Sequence, residues 1–132
     1  MRRYGLFVGV NDYQNGISSL SCSCNDAKAL SLCFANQHFD YVDMLLDKDA
    51  DSDTVLNKVE KMTKSLSSGD LFVFYFAGHG REFNGEHFLV GPAGRAGEAF
   101  YRRGTVTVPE LLEISDQPGL NRLFILDCCR TL

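Results

Sequence analysis

The chain offers one pairing of side chains suited to nucleophilic chemistry: a histidine, His79, and two adjacent cysteines, Cys128 and Cys129. A thiol is only slightly ionised at neutral pH. An imidazole within hydrogen-bond reach raises the thiolate fraction and supplies an acid for a leaving group. Taken singly, neither residue is telling, because a lone histidine at a turn is more often a surface group and a cysteine in an apolar strand is usually packing. Their placement changes the weighting. His79 follows the apolar run Leu71-Phe72-Val73-Phe74-Tyr75-Phe76-Ala77 and sits in Gly78-His79-Gly80, where the strand is expected to break; the cysteines follow Leu123-Phe124-Ile125-Leu126. Two such strands, as parallel neighbours, deliver both groups to one edge of a sheet, in the crevice where open α/β sheets hold their ligands.

The elements that must do this positioning are legible in chain order. Tyr4 to Val10 reads as a first buried strand, closed by the turn-rich Asn11-Asp12-Tyr13. Asn25 and Asp26 offer side-chain oxygens as caps to a helix that carries Ala27, Leu30, Cys33 and Phe34 on one face and ends near His38. Tyr41 to Leu46 reads as a second strand, and Val55, Val59, Met62 and Leu66 as the apolar face of a second helix. The Leu71–Ala77 strand is third, and a fourth runs from Arg122 to Asp127. This alternation predicts a three-layer α/β fold, a mostly parallel sheet in the order 2-1-3-4 flanked by helices, with right-handed crossovers. Between the last two strands, Asn84-Gly85 predicts a small hairpin over the site, and Pro109 in a first helical turn predicts a short helix over 109–115.

Tyr75-Phe76-Ala77-Gly78-His79-Gly80 followed by Leu126-Asp127-Cys128-Cys129-Arg130 resembles the His and Cys motifs of the caspase-like cysteine peptidases, the superfamily of caspases, metacaspases, paracaspases and bacterial relatives. His79 and Cys129 are 50 positions apart, which agrees with the known caspase spacing of about fifty residues. The likeness extends upstream through Tyr4 to Tyr13 and Cys24-Asn25-Asp26-Ala27, and so covers nearly the whole chain. Side chains alternate along a strand, so Asp127 and Cys129 are expected on one face and Cys128 on the other. The family's Asp-x-Cys pattern then implies Cys129 as nucleophile. Cys128 would be packed and inert, or would form a labile adjacent disulfide on oxidation.

The resemblance implies a cysteine-type endopeptidase working by a Cys129–His79 dyad, with the oxyanion held by the backbone N–H groups of Gly80 and Cys129. It also implies a role in proteolysis within regulated cell death or defence signalling. Asp26 and Asp127 fall where metacaspases and bacterial relatives line an acidic pocket for Arg or Lys before the cut bond; Asp26 reads equally as a helix cap, and the two roles are compatible. Arg130 resembles the caspases and many bacterial members more than the metacaspases, so the subfamily stays open. The alternative in another class is a proteolytically silent caspase-like scaffold or adaptor. A nucleotide-binding fold ranks below both, since no glycine-rich phosphate loop follows the first strand.

At 132 residues and 45% hydrophobic content, the sequence suits one core. It ends three residues after Cys129, where this topology expects a further helix, so residues 1–132 read as a catalytic large-subunit (p20) region. Its expected partners are protein or peptide substrates and the small-subunit half of the same protein. The net charge of −4, with scattered basic residues, points away from nucleic acid, and no run is long enough to span a bilayer. Five cysteines are an odd number and suggest a reducing, cytoplasmic setting over a disulfide framework. The Cys22, Cys24 and Cys33 spacing does not suit zinc. No metal or cofactor is expected, with calcium activation left open.

Overall fold

The computed structural model describes residues 1–129, and of Cys129 its backbone; Arg130 lies outside the described residues. The elements run β1 (Arg3–Gly9), α1 (Ser23–Ala35), β2 (Tyr41–Leu46), α2 (Ser52–Lys64), β3 (Leu71–Phe83), β4 (Glu86–Val90), β5 (Thr105–Thr107), α3 (Val108–Ile114) and β6 (Asn121–Cys129). Among the described residues the strands form one sheet. Its parallel part has the spatial order β2-β1-β3-β6, which is the predicted 2-1-3-4 arrangement; β4 pairs antiparallel with the Gly80–Phe83 end of β3, and β5 pairs antiparallel with β4.

Alternation in the central strands sorts their side chains into two cores, which makes the fold three-layered. Phe7, Val73, Tyr75 and Ala77 face α1 through Ala27, with Leu30, Phe34 and Ile125 packed around them. Leu6, Val8, Phe72, Phe74 and Phe76 face α2 and α3 through Val55, Val59, Met62 and Leu111. Phe7, Phe72 and Phe74 are fully buried. Such runs, apolar at every position, are what a strand covered on both faces requires.

Three expectations need correction. β3 does not break at Gly78-His79-Gly80. It runs on to Phe83, because β4 takes over the backbone pairing at Gly80, opposite Leu89, as the parallel partners end. Gly78 is required by packing and not by a turn: a Cβ there would stand 2.7 Å from the Tyr13 hydroxyl. Secondly, α1 is not capped by Asn25 or Asp26. It begins at Ser23 with no side-chain cap of its own, and Asn11 Oδ1 accepts instead from the Ser23 and Cys24 N–H groups at 2.9 and 3.3 Å. A capping oxygen from a distant loop serves the orphan donors as well as a local one does. Lastly, β6 continues through Cys129, so the cysteines lie in the strand and not in a loop after it.

The hairpin turns at Asn84-Gly85, whose φ values of 51° and 80° suit a type I′ turn. α3 opens with a reciprocal cap: Thr107 Oγ1 accepts from Glu110 N–H while Glu110 Oε1 accepts from Thr107 N–H. No helix among the described residues is long and apolar enough to cross a membrane.

Candidate active site

The parallel ladder of β3 and β6 pairs Ala77 with Asp127, Gly78 with Cys128 and His79 with Cys129. Residues 79 and 129 thus stand opposite each other on neighbouring strands, which lie about 4.8 Å apart.

His79 is 8% exposed and is held from three directions. Its backbone N–H donates to Tyr13 Oη at 2.9 Å, and Tyr13 in turn donates to the Val90 carbonyl at 2.8 Å. The Tyr13 ring meets the imidazole edge-on, with centroids 4.8 Å apart. Burial pushes the Tyr13 phenol well above its ordinary range, so it stays a neutral hydroxyl able to donate and accept at once. The third hold is on the ring: Nε2 lies 2.8 Å from the Ser18 carbonyl oxygen. A carbonyl oxygen only accepts, so Nε2 carries the hydrogen and, in the neutral ring, Nδ1 holds the lone pair. Nδ1 is buried and has no partner among the described residues. The local structure therefore fixes one tautomer and leaves Nδ1 an acceptor with no partner among the described residues.

The loop supplying Tyr13 and Ser18 is itself braced. Asp47 Oδ1 accepts from the Asn11 and Asp12 N–H groups at 2.8 and 3.0 Å. Desolvation works against its charge, but these two donors, together with Cys24 and Lys28, outweigh it and hold the Asp47 carboxyl below its ordinary range. One chain of contacts thus joins the end of β2 to Asn11, the start of α1 and the support of His79.

Asp127 is exposed, and its Oδ2 accepts from Tyr75 Oη at 3.1 Å. Burial, then Asp127, and more weakly Asp26 raise the Tyr75 phenol above its ordinary range. Both acids therefore act on one hydroxyl, on the α1 side of the sheet. Asp26 sits in the first turn of α1, its N–H bonded to the Cys22 carbonyl. Cys128 packs against the opposite core, with α2 and α3, and lines a pocket with Gly80, Phe88 and Leu126. The side chain of Cys129, the expected nucleophile, lies outside the described residues. Cys24 is a packing thiol: its Sγ lies 3.5 Å from the Gly9 carbonyl, and burial followed by Asp47 pushes its ionisation up.

A family model described as the caspase domain (peptidase C14) matches residues 2–131. The chain belongs to the caspase-like family. Members of that family are generally cysteine peptidases. The fold is also that of a solved structure, protein GSU0716 from Geobacter sulfurreducens, with a TM-score of 0.80 at 21% sequence identity. The alignment covers 98% of this chain and 51% of that one, so this caspase-like chain spans about half the length of the solved relative. A comparison with curated proteins finds no match.

Sequence reasoning did not find Ser18, Tyr13 or Tyr75 as parts of the site. A backbone carbonyl such as that of Ser18 leaves no trace in residue type. Tyr75 could have been found, because alternation puts it on the Asp127 side of the ladder, two positions from Ala77, the register partner of Asp127.

Proposed function

We propose that this chain carries the nucleophile and the base of a cysteine endopeptidase that cuts after Arg or Lys. The observation that supports it most is the β3/β6 register together with the tautomer of His79: the residue opposite the cysteine is a histidine whose Nε2–H is committed to Ser18 and whose Nδ1 is left as an acceptor. Nδ1 takes the proton of the Cys129 thiol, and the thiolate sulfur attacks the carbonyl carbon of the scissile peptide bond. The resulting oxyanion is met by the N–H groups of Gly80 and Cys129. As the C–N bond breaks, the Nδ1 proton passes to the departing nitrogen and a thioester remains. Water, losing its proton to Nδ1, attacks the thioester; the C–S bond breaks, the acid product leaves, and the thiolate recovers its proton from Nδ1.

For the residue before the cut, the paired influence of Asp26 and Asp127 on Tyr75 supports a negative pocket on the α1 side. A guanidinium there gains charge-assisted hydrogen bonds, and an Asp side chain meets repulsion. The exposed Leu123 and Leu126 on β6 support the reading of 1–132 as a large-subunit region whose small-subunit half adds beside that strand. The cysteine pattern supports a cytoplasmic enzyme. The test is substitution in the full-length protein. Cys129→Ala lowers cleavage of an Arg-containing peptide by on the order of 10⁴-fold or more, while Cys128→Ala retains most of it. Cleavage that survives Cys129→Ala and is lost in Cys128→Ala overturns the assignment, and absence of any cleavage by the unaltered protein favours the scaffold alternative.

A further inference from the structure

A cleft of ≈ 540 Å³ opens beside His79, and the functional reading above gives it no role. Ser18, His79, Glu82, Phe83, Glu98 and Tyr101 are among the residues that line it. Its position relative to the chemistry follows from the reaction. His79 must hand a proton to the nitrogen of the departing peptide, so that peptide leaves along the histidine side of the scissile bond. The residue before the cut is directed instead toward Asp26 and Asp127, neither of which lines this cleft. Resting on the peptidase reading, we infer that this cleft receives the first residues after the scissile bond and that it selects basic side chains there.

The walls carry the chemistry. Phe83 and Tyr101 stack face to face, with ring centroids 4.2 Å apart and planes at 19°, which gives a flat aromatic surface of the kind that holds the stem and head of Lys or Arg. Glu82 and Glu98 are both exposed at this cleft and offer carboxylates to a cationic head group. Glu82 also lies 3.6 Å from His87 Nδ1, so Glu98 is the carboxylate on which the test turns. Among the described residues that line the cleft the one cation is Arg81, whose guanidinium donates to the Phe100 carbonyl at 3.2 Å and to the Arg95 carbonyl at 2.6 Å. These two bonds make Arg81 a buttress for the 95–100 loop, and burial lowers its pKa. An acidic residue entering the cleft would meet Glu82 and Glu98, whereas a lysine would find two carboxylates and the Phe83–Tyr101 pair, with Arg102 already 5.7 Å over the Tyr101 ring as a competing cation.

The experiment uses the full-length protein and three internally quenched peptides identical up to an Arg before the cut and carrying Lys, Ala or Glu at the two positions after it. Alongside runs an aminocoumarin amide of the same Arg sequence, which has no residue after the cut. The expected order of kcat/KM is Lys over Ala over Glu, with Lys exceeding Glu by about tenfold or more. Glu98→Lys inverts the order and raises turnover of the Glu peptide, a gain that a misfolded variant could not produce. Equal turnover of the three peptides, or a Lys preference untouched by Glu98→Lys, overturns the inference while the coumarin substrate, if cut, leaves the peptidase reading standing. A coumarin substrate left uncut, with all three peptides intact, overturns both.

Discussion

The two strands that meet at the site are built to different standards. The β3 side is held on every side: His79 is buried, its N–H, ring and Nε2 are all engaged, and β4 extends the pairing past it. The β6 end is open. Among the described residues β6 pairs with β3 alone, Leu123 and Leu126 are 46% and 39% exposed, and Asp127 faces solvent with one hydrogen bond, from Tyr75. The contrast separates two tasks. On the proposed function, the base needs one tautomer and one orientation, which rigid local contacts supply, while the nucleophile and the specificity pocket would need a substrate and a second wall.

That contrast can be broken most severely on the histidine side. Tyr13→Phe keeps the ring against His79 but removes the hydroxyl, which leaves a buried N–H and the Val90 carbonyl without their partner. Each orphan costs about 1–3 kcal/mol. The expected outcome is a fall in kcat/KM on the order of 10²-fold with a lowered melting temperature, measured by peptide turnover and thermal denaturation. Full activity would mean that His79 is oriented from elsewhere.

On the open side, effects should be smaller and confined to specificity. Asp127→Asn retains an acceptor for Tyr75 Oη but removes a charge, so kcat/KM for Arg substrates should drop by about tenfold with the melting temperature nearly unchanged. Asp127→Ala should show the same loss and also cost about 1 kcal/mol of stability, since the Tyr75 hydroxyl loses its acceptor. The carboxylate therefore supports the core side as well as the cleft, through a tyrosine that is 4% exposed.

The bracing behind His79 predicts the smallest effect. Asn11→Ala removes the oxygen that serves the first two N–H groups of α1 and should cost about 1 kcal/mol. Asp47 adds a pH signature. Its pKa is depressed in the folded protein, so its contribution is present above the ordinary carboxylate range and is lost as pH falls through the lower folded value. Comparing acid unfolding of Asp47→Asn with the unaltered protein checks this: the variant should have a flatter stability profile over the acid limb, and an identical profile would dismiss the brace.

How much of this was legible beforehand follows the same divide. Order and direction of the parallel strands came through because Leu71–Ala77 and Leu123–Leu126 are apolar at consecutive positions, and residue type and family resemblance singled out His79 and Cys129, which β3 and β6 place opposite each other. What escaped were contacts made by generic groups or across long separations. Asn11 caps a helix twelve residues on, Ser18 acts through its carbonyl, and Tyr13 acts through a hydroxyl 66 residues from the N–H it accepts. The apparent strand break at Gly78-His79-Gly80 misled because glycines ordinarily mark turns. Here Gly78 makes room for Tyr13, and the strand continues.

The pairing of a base-bearing His79 with Cys129 is tested most directly by covalent labelling. The full-length protein is treated with a peptidyl chloromethyl ketone ending in Arg, and the modified cysteine is read by peptide mass spectrometry, with and without His79→Ala. The account predicts one label, on Cys129, slowed by on the order of 10²-fold or more when His79 is replaced. A label on Cys128, or one on Cys129 that forms equally fast without His79, would contradict it.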